Sequence, residues 1–199
     1  SRSLASARRI REVLTEQPDL ANAAEPVDTV PNGQIDFEGV SFKYNAAAQK
    51  SALSDITLHI PAGATVGIIG GTGSAKTTLV QLIPRLYDAT EGTVKVGGRD
   101  VRDYDLTALR DAVGIVLQKN LLFSGTIRDN LKWGNPDATE EQLWDACRAA
   151  HADEFLNRMP DGLDTDLGQG GVNVSGGQKQ RLCIARTLQI GRASCRERV

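Results

Sequence analysis

Residues Gly70, Gly71, Thr72, Gly73, Ser74, Ala75, Lys76, Thr77 and Thr78 are consecutive, and their types define a chemistry. Glycines let successive backbone N–H groups turn toward phosphate oxygens. The N-terminus of a following helix adds partial positive charge. Lys76 carries a full charge suited to β- and γ-phosphates, and the Thr77 hydroxyl is a hard ligand for Mg²⁺. This is the pattern of a P-loop, whose backbone amides and lysine cradle the phosphates of a nucleotide. The usual loop has glycine directly before the lysine, whereas this chain has Ala75. Alanine is harmless there if the residue already has helical dihedrals, so a negative φ is expected at Ala75.

Such a loop must sit between a strand and a helix, and the flanking sequence fits. Residues 64–69 form a continuous apolar run, as in a strand covered on both faces. Leu79, Leu82, Ile83 and Leu86 line one side of a helix expected over residues 76–87. Alternating apolar residues predict further strands at Ile35, Phe37, Phe42 and Tyr44, at Ile56, Leu58 and Ile60, and at Val94 and Val96. A short helix is expected over residues 106–112 and a buried strand over 113–117. Thr139 with Gln142 reads as a capping box opening a helix to Ala150. Ser175 can cap a last helix running to about Leu188. Mixed strands and helices without repeats indicate an α/β fold.

A second constellation, Ser175, Gly176, Gly177 and Gln178 after Val174, lies far downstream of the loop, with Gln118 between them. Together these motifs resemble the ATP-binding cassette (ABC) proteins, over about residues 35–188. The resemblance implies a P-loop NTPase core with an antiparallel β subdomain and an α-helical signature subdomain, incomplete at its C-terminus. It implies that Tyr44 stacks on adenine and that Gln118 contacts Mg²⁺ and the attacking water. It also implies that two cassettes, as homo- or heterodimer, close head to tail. Ser175, Gly176, Gly177 and Gln178 of one would then face the γ-phosphate held by the other.

The segment from Phe123 to Asn130 and the run Gly168, Gln169, Gly170, Gly171 and Val172 resemble the exporter branch of that family. Residues 1–16, with Arg2, Arg8, Arg9 and Arg11, read either as an amphipathic surface helix or as the cytoplasmic end of a transmembrane-domain helix. Residues 17–33 read as a linker, residues 34–189 as the cassette, and the expected location is the cytoplasmic face of a membrane. Two other readings are a degenerate cassette that regulates a heterodimer and a soluble ABC ATPase without a transporter.

The family's next elements would be a strand ending in a Mg²⁺-organising Asp, a catalytic Glu and a switch His. Residues 190–199 instead resemble a sequencing-library adapter read in frame, which implies a truncated open reading frame. The expectation is that the chain as given binds ATP without turning it over. The net charge of −2 and dispersed basic residues disfavour nucleic acid. Cys147, Cys183 and Cys195 lack metal-ligand spacing and read as free thiols. His59 and His151 need no special role, and Trp133 and Trp144 read as packing residues.

Overall fold

The computed structural model describes residues 2–45, 47–117 and 120–195, with side chains described from residue 6 to residue 189. The chain divides into two compact units, Ser1–Leu109 and Arg110–Val199.

The first unit opens with helix α1 (Arg2–Thr15), on which Ile10, Val13 and Leu14 are exposed. The following segment runs extended and is held at discrete points. The Asn22 side chain accepts from the Leu106 amide at 2.9 Å, and Val27 exchanges backbone hydrogen bonds with Asp103 and Asp105. Strands β1 (Ile35–Phe42), β2 (Leu53–Ile60), β3 (Glu91–Val96) and β4 (Arg99–Asp100) form an antiparallel sheet in the order β2-β1-β3-β4. The two-residue alternation expected from the sequence holds for Val94 and Val96 in β3, whereas in β1 Phe37, Val40 and Phe42 are all buried because register shifts interrupt the alternation between them. The Asp36–His59 and Glu38–Lys95 pairs decorate the strands, the latter at 2.7 Å. The His59 ring and the Gln34 amide hold the Asp36 carboxyl below its ordinary value by hydrogen bonding.

Gly92 shows why this sheet needs a glycine inside a strand. A Cβ there would lie 2.3 Å from the Gly39 carbonyl oxygen, where the β1–β3 register shifts. Helix α2 (Lys76–Leu82) is shorter than its apolar pattern predicts. Pro84 cannot continue the helical hydrogen bonding. Arg85 turns to φ 50°, and the Leu86 amide donates back to the Gln81 carbonyl at 3.0 Å, closing the helix end. Arg85 is buried and holds Asp88 through two contacts of 2.7 and 3.0 Å.

Two expected strands do not form. Residues 64–69 and 113–117 carry no strand assignment, and Val66, Ile68, Ile69, Val116 and Leu117 are exposed rather than buried. A parallel strand covered on both faces needs ladder partners on its edges. Among the described residues, β2-β1-β3-β4 is the sheet formed, and neither segment joins it.

Helix α3 (Leu106–Ala112) spans the boundary between the units. The second unit is helical: α4 (Ile127–Lys132), α5 (Glu140–Ala149), α6 (Asp153–Leu156) and α7 (Gly176–Cys195). Thr139 and Gln142 form the expected capping box of α5, and Thr126 with Asp129 forms a second one on α4. Ile127, Leu131, Leu143, Leu156, Leu167 and Leu182 are fully buried, and Trp144 packs against them as expected. Trp133 does not: it is 65% exposed and stacked on Phe123, centroids 4.4 Å apart. Buried Asn130 accepts from the Phe123 amide at 2.8 Å and donates to the Phe123 and Thr126 carbonyls, fixing the loop before α4. Burial pushes the Cys147 thiol up to about 12, so it packs as a small apolar residue. α7 continues past the expected end near Leu188, to Cys195.

Candidate nucleotide site

The loop of residues 70–75 is built around close backbone approach. A Cβ on Gly70 would lie 2.6 Å from the Ser74 hydroxyl oxygen. Gly73 has φ +80°, and the Ser74 amide turns back to the Gly71 carbonyl at 3.3 Å. Lys76, the first residue of α2, reaches back over this turn. Its Nζ donates to the Gly70 carbonyl at 2.7 Å, the Gly71 carbonyl at 2.8 Å and the Ser74 hydroxyl at 3.2 Å. The ammonium is thereby anchored among oxygens at the mouth of a turn whose residues are exposed. Thr77 is exposed in the first turn of α2. One hydroxyl suits a Mg²⁺ ion that takes its remaining ligands from phosphate and water. No group of three or more His, Cys, Asp or Glu able to hold a metal occurs among the described residues.

Ala75 departs from expectation. Its φ is +57° with ψ 22°, in the left-handed region, and it caps α2 with its carbonyl accepting from the Leu79 amide at 3.0 Å. The turn that points Lys76 back over the loop demands this conformation, which glycine adopts freely and alanine adopts at a cost. Ala75→Gly is therefore expected to raise stability by about 1 kcal/mol, the relieved strain exceeding the extra chain entropy. Urea unfolding followed by circular dichroism measures this, and a less stable variant would contradict the assigned strain.

Tyr44, two residues past β1, is exposed, and its hydroxyl shares a hydrogen bond of 2.8 Å with the buried Thr78 hydroxyl. Thr72 is exposed in the loop. These residues of the first unit thus form one local cluster around the start of α2. Tyr87 lies in the stretch that its apolar spacing predicts as helix, yet in the structure its ring meets that of Tyr44.

The signature residues belong to the second unit. Ser175 and Gln178 cap α7 reciprocally: the Ser175 amide donates to the Gln178 side chain at 2.8 Å, and the Gln178 amide to the Ser175 hydroxyl at 3.3 Å. Gly176 and Gly177 are exposed, and a Cβ on either would meet nothing within 4 Å. Lys179 ties this helix start to the preceding glycine turn, donating to the Gly170 carbonyl at 2.9 Å. Gln118 lies outside the described residues.

The glycine run and the lysine that opens α2 keep the loop-to-helix half of the P-loop pattern, while the strand expected ahead of the loop is not formed. The chain belongs to the ABC transporter family, whose model matches residues 53–193. It is 44% identical over 184 residues to the "Multidrug efflux ATP-binding/permease protein" of Mycobacterium bovis, covering 92% of this chain and 15% of that protein. It is 42% identical over 186 residues to the "ATP-dependent lipid A-core flippase" of Desulfotalea psychrophila, covering 93% of this chain and 32% of that protein. Among solved structures, a bacterial Atm1-family ABC exporter with ATP bound matches with a TM-score of 0.85 and 32% identity, over 95% of this chain and 33% of that one. The ABC ATPase fold and the similarity to exporter-type cassettes follow from these matches. The chain spans between about one-seventh and one-third of these relatives' lengths.

Proposed function

We propose that this chain is the ATP-binding cassette of a membrane exporter. The observation that carries the reading is the Lys76 ammonium held at 2.7 to 3.2 Å from three oxygens of its own glycine loop. A triphosphate entering the loop offers the same donors better acceptors, because charge-assisted hydrogen bonds are stronger than those to neutral carbonyls. Thr77, together with Gln118, would hold the Mg²⁺ that offsets phosphate charge, and Tyr44 would stack on the adenine. The exposed Ser175, Gly176 and Gly177 at the start of α7 would offer hydroxyl and amide donors to a nucleotide on a second cassette. Closure of the pair would then power export through a transmembrane domain joined ahead of α1. Exposed Ile10, Val13 and Leu14 on α1, and the fused ATP-binding/permease names of the relatives, support that joining. Among the described residues no helix is long and apolar enough to cross a membrane.

The test is equilibrium binding of ATP to the chain in the presence of Mg²⁺. One saturable site per chain is expected, and inorganic triphosphate should compete for it. Binding that does not saturate would overturn the reading.

A further inference from the structure

A flat side chain that receives a base needs an open face and a fixed plane. Tyr44 has the first, with 59% of its surface exposed. Three contacts supply the second. Phe42, buried in the sheet core, meets the Tyr44 ring at 4.8 Å and 82°. Tyr87 meets it at 5.3 Å and 87°. The third contact is the hydroxyl bond to Thr78, two residues past Lys76 on the same helix. Both neighbouring rings meet Tyr44 edge to face rather than stacked, and 59% of Tyr44 remains exposed with them in place.

The turn after α2 delivers Tyr87 to this place. Pro84 stops the helix, Arg85 reverses the chain at φ 50°, and the Arg85–Asp88 pair holds the segment between them. Tyr87 also touches Phe42, centroids 5.5 Å apart, so the three rings form one cluster. Of the two braces, Phe42 is core and Tyr87 is 40% exposed.

We propose that Tyr87 is a positioning residue for the nucleobase: it fixes the plane of Tyr44 and so sets affinity for the base part of the nucleotide, without contributing to phosphate binding. This rests on the reading of Tyr44 as the adenine platform. The brace acts only through Tyr44, so its effect must disappear when Tyr44 is gone and must be absent for a ligand that has no base.

The experiment compares ATP and inorganic triphosphate binding, both with Mg²⁺, in the full chain and in Tyr87→Ala, Tyr87→Phe, Tyr44→Ala and the Tyr44→Ala/Tyr87→Ala double variant. Tyr87→Ala is expected to weaken ATP about fivefold, the worth of one edge-to-face aromatic contact, and to leave triphosphate within about twofold. Tyr87→Phe keeps the ring and should retain wild-type ATP affinity. In the Tyr44→Ala background, loss of Tyr87 should add nothing. If Tyr44→Ala weakens ATP and Tyr87→Ala does not, the positioning role is wrong while the platform stands. If Tyr87→Ala weakens both ligands equally, the residue merely supports the loop and the proposal falls. If neither alanine variant changes ATP affinity, the platform reading itself is wrong and the proposal falls with it.

Discussion

Lys76→Ala is expected to lower ATP affinity at least about 100-fold, corresponding to roughly 3 kcal/mol, the worth of one or two charge-assisted hydrogen bonds to phosphate. No other lysine or arginine occurs between residues 51 and 84, so the loop has no second side-chain cation to take over. The folded chain loses three hydrogen bonds to exposed loop oxygens in this variant. Water replaces those, so the stability cost should stay below about 1 kcal/mol. Titration calorimetry with Mg²⁺ and ATP, paired with a urea unfolding curve, separates the two effects. An affinity within tenfold of wild type in a folded variant would refute the role given to this ammonium.

Where local chemistry decided the outcome, it was readable from the residues. The strand alternation of Val94 and Val96, the α5 capping box of Thr139 and Gln142, and the glycine loop before Lys76 all depend on near neighbours, and all appear in the structure. The misses share a different cause. Residues 64–69 have the composition of a buried strand, but a parallel strand exists only where other strands bond to it. Pro84 stood in plain view inside the predicted helix, and its missing N–H outweighed the apolar spacing that carried the pattern to Leu86. Alanine at a helix start intrinsically prefers a negative φ. The turn that brings Lys76 back over Gly70 and Gly71 is a constraint of geometry, and it forces the left-handed conformation on whichever residue precedes the lysine. The Tyr44–Tyr87 contact joins positions 43 residues apart, and single-sequence periodicity carries no information on such a pair.

Gly177→Asp is the sharpest test of the proposed pairing, because its effects on folding and on assembly should have opposite signs. A Cβ at Gly177 meets nothing within 4 Å, so this chain has room for a side chain there. The position also lies in the first turn of α7, two residues past the Ser175 cap. A carboxylate in a first turn interacts favourably with the helix dipole, by about 0.3–1 kcal/mol. Folding should therefore be unchanged or slightly strengthened, and binding of ATP to the loop of the same chain should be unaffected. Nothing within the chain requires a glycine at this position. Under the proposed arrangement the γ-phosphate on a second cassette approaches this helix start. A carboxylate would set negative charge against it and remove the close approach of the amides, a juxtaposition that costs several kcal/mol. ATP-dependent dimerisation of the complete cassette, followed by sedimentation in catalytically arrested protein, should fall at least about 100-fold. Gly177→Ala, which adds bulk without charge, should fall between this variant and wild type. Dimerisation that survives Gly177→Asp at wild-type ATP concentrations would place the partner's nucleotide elsewhere and remove Ser175, Gly176 and Gly177 from the proposed site.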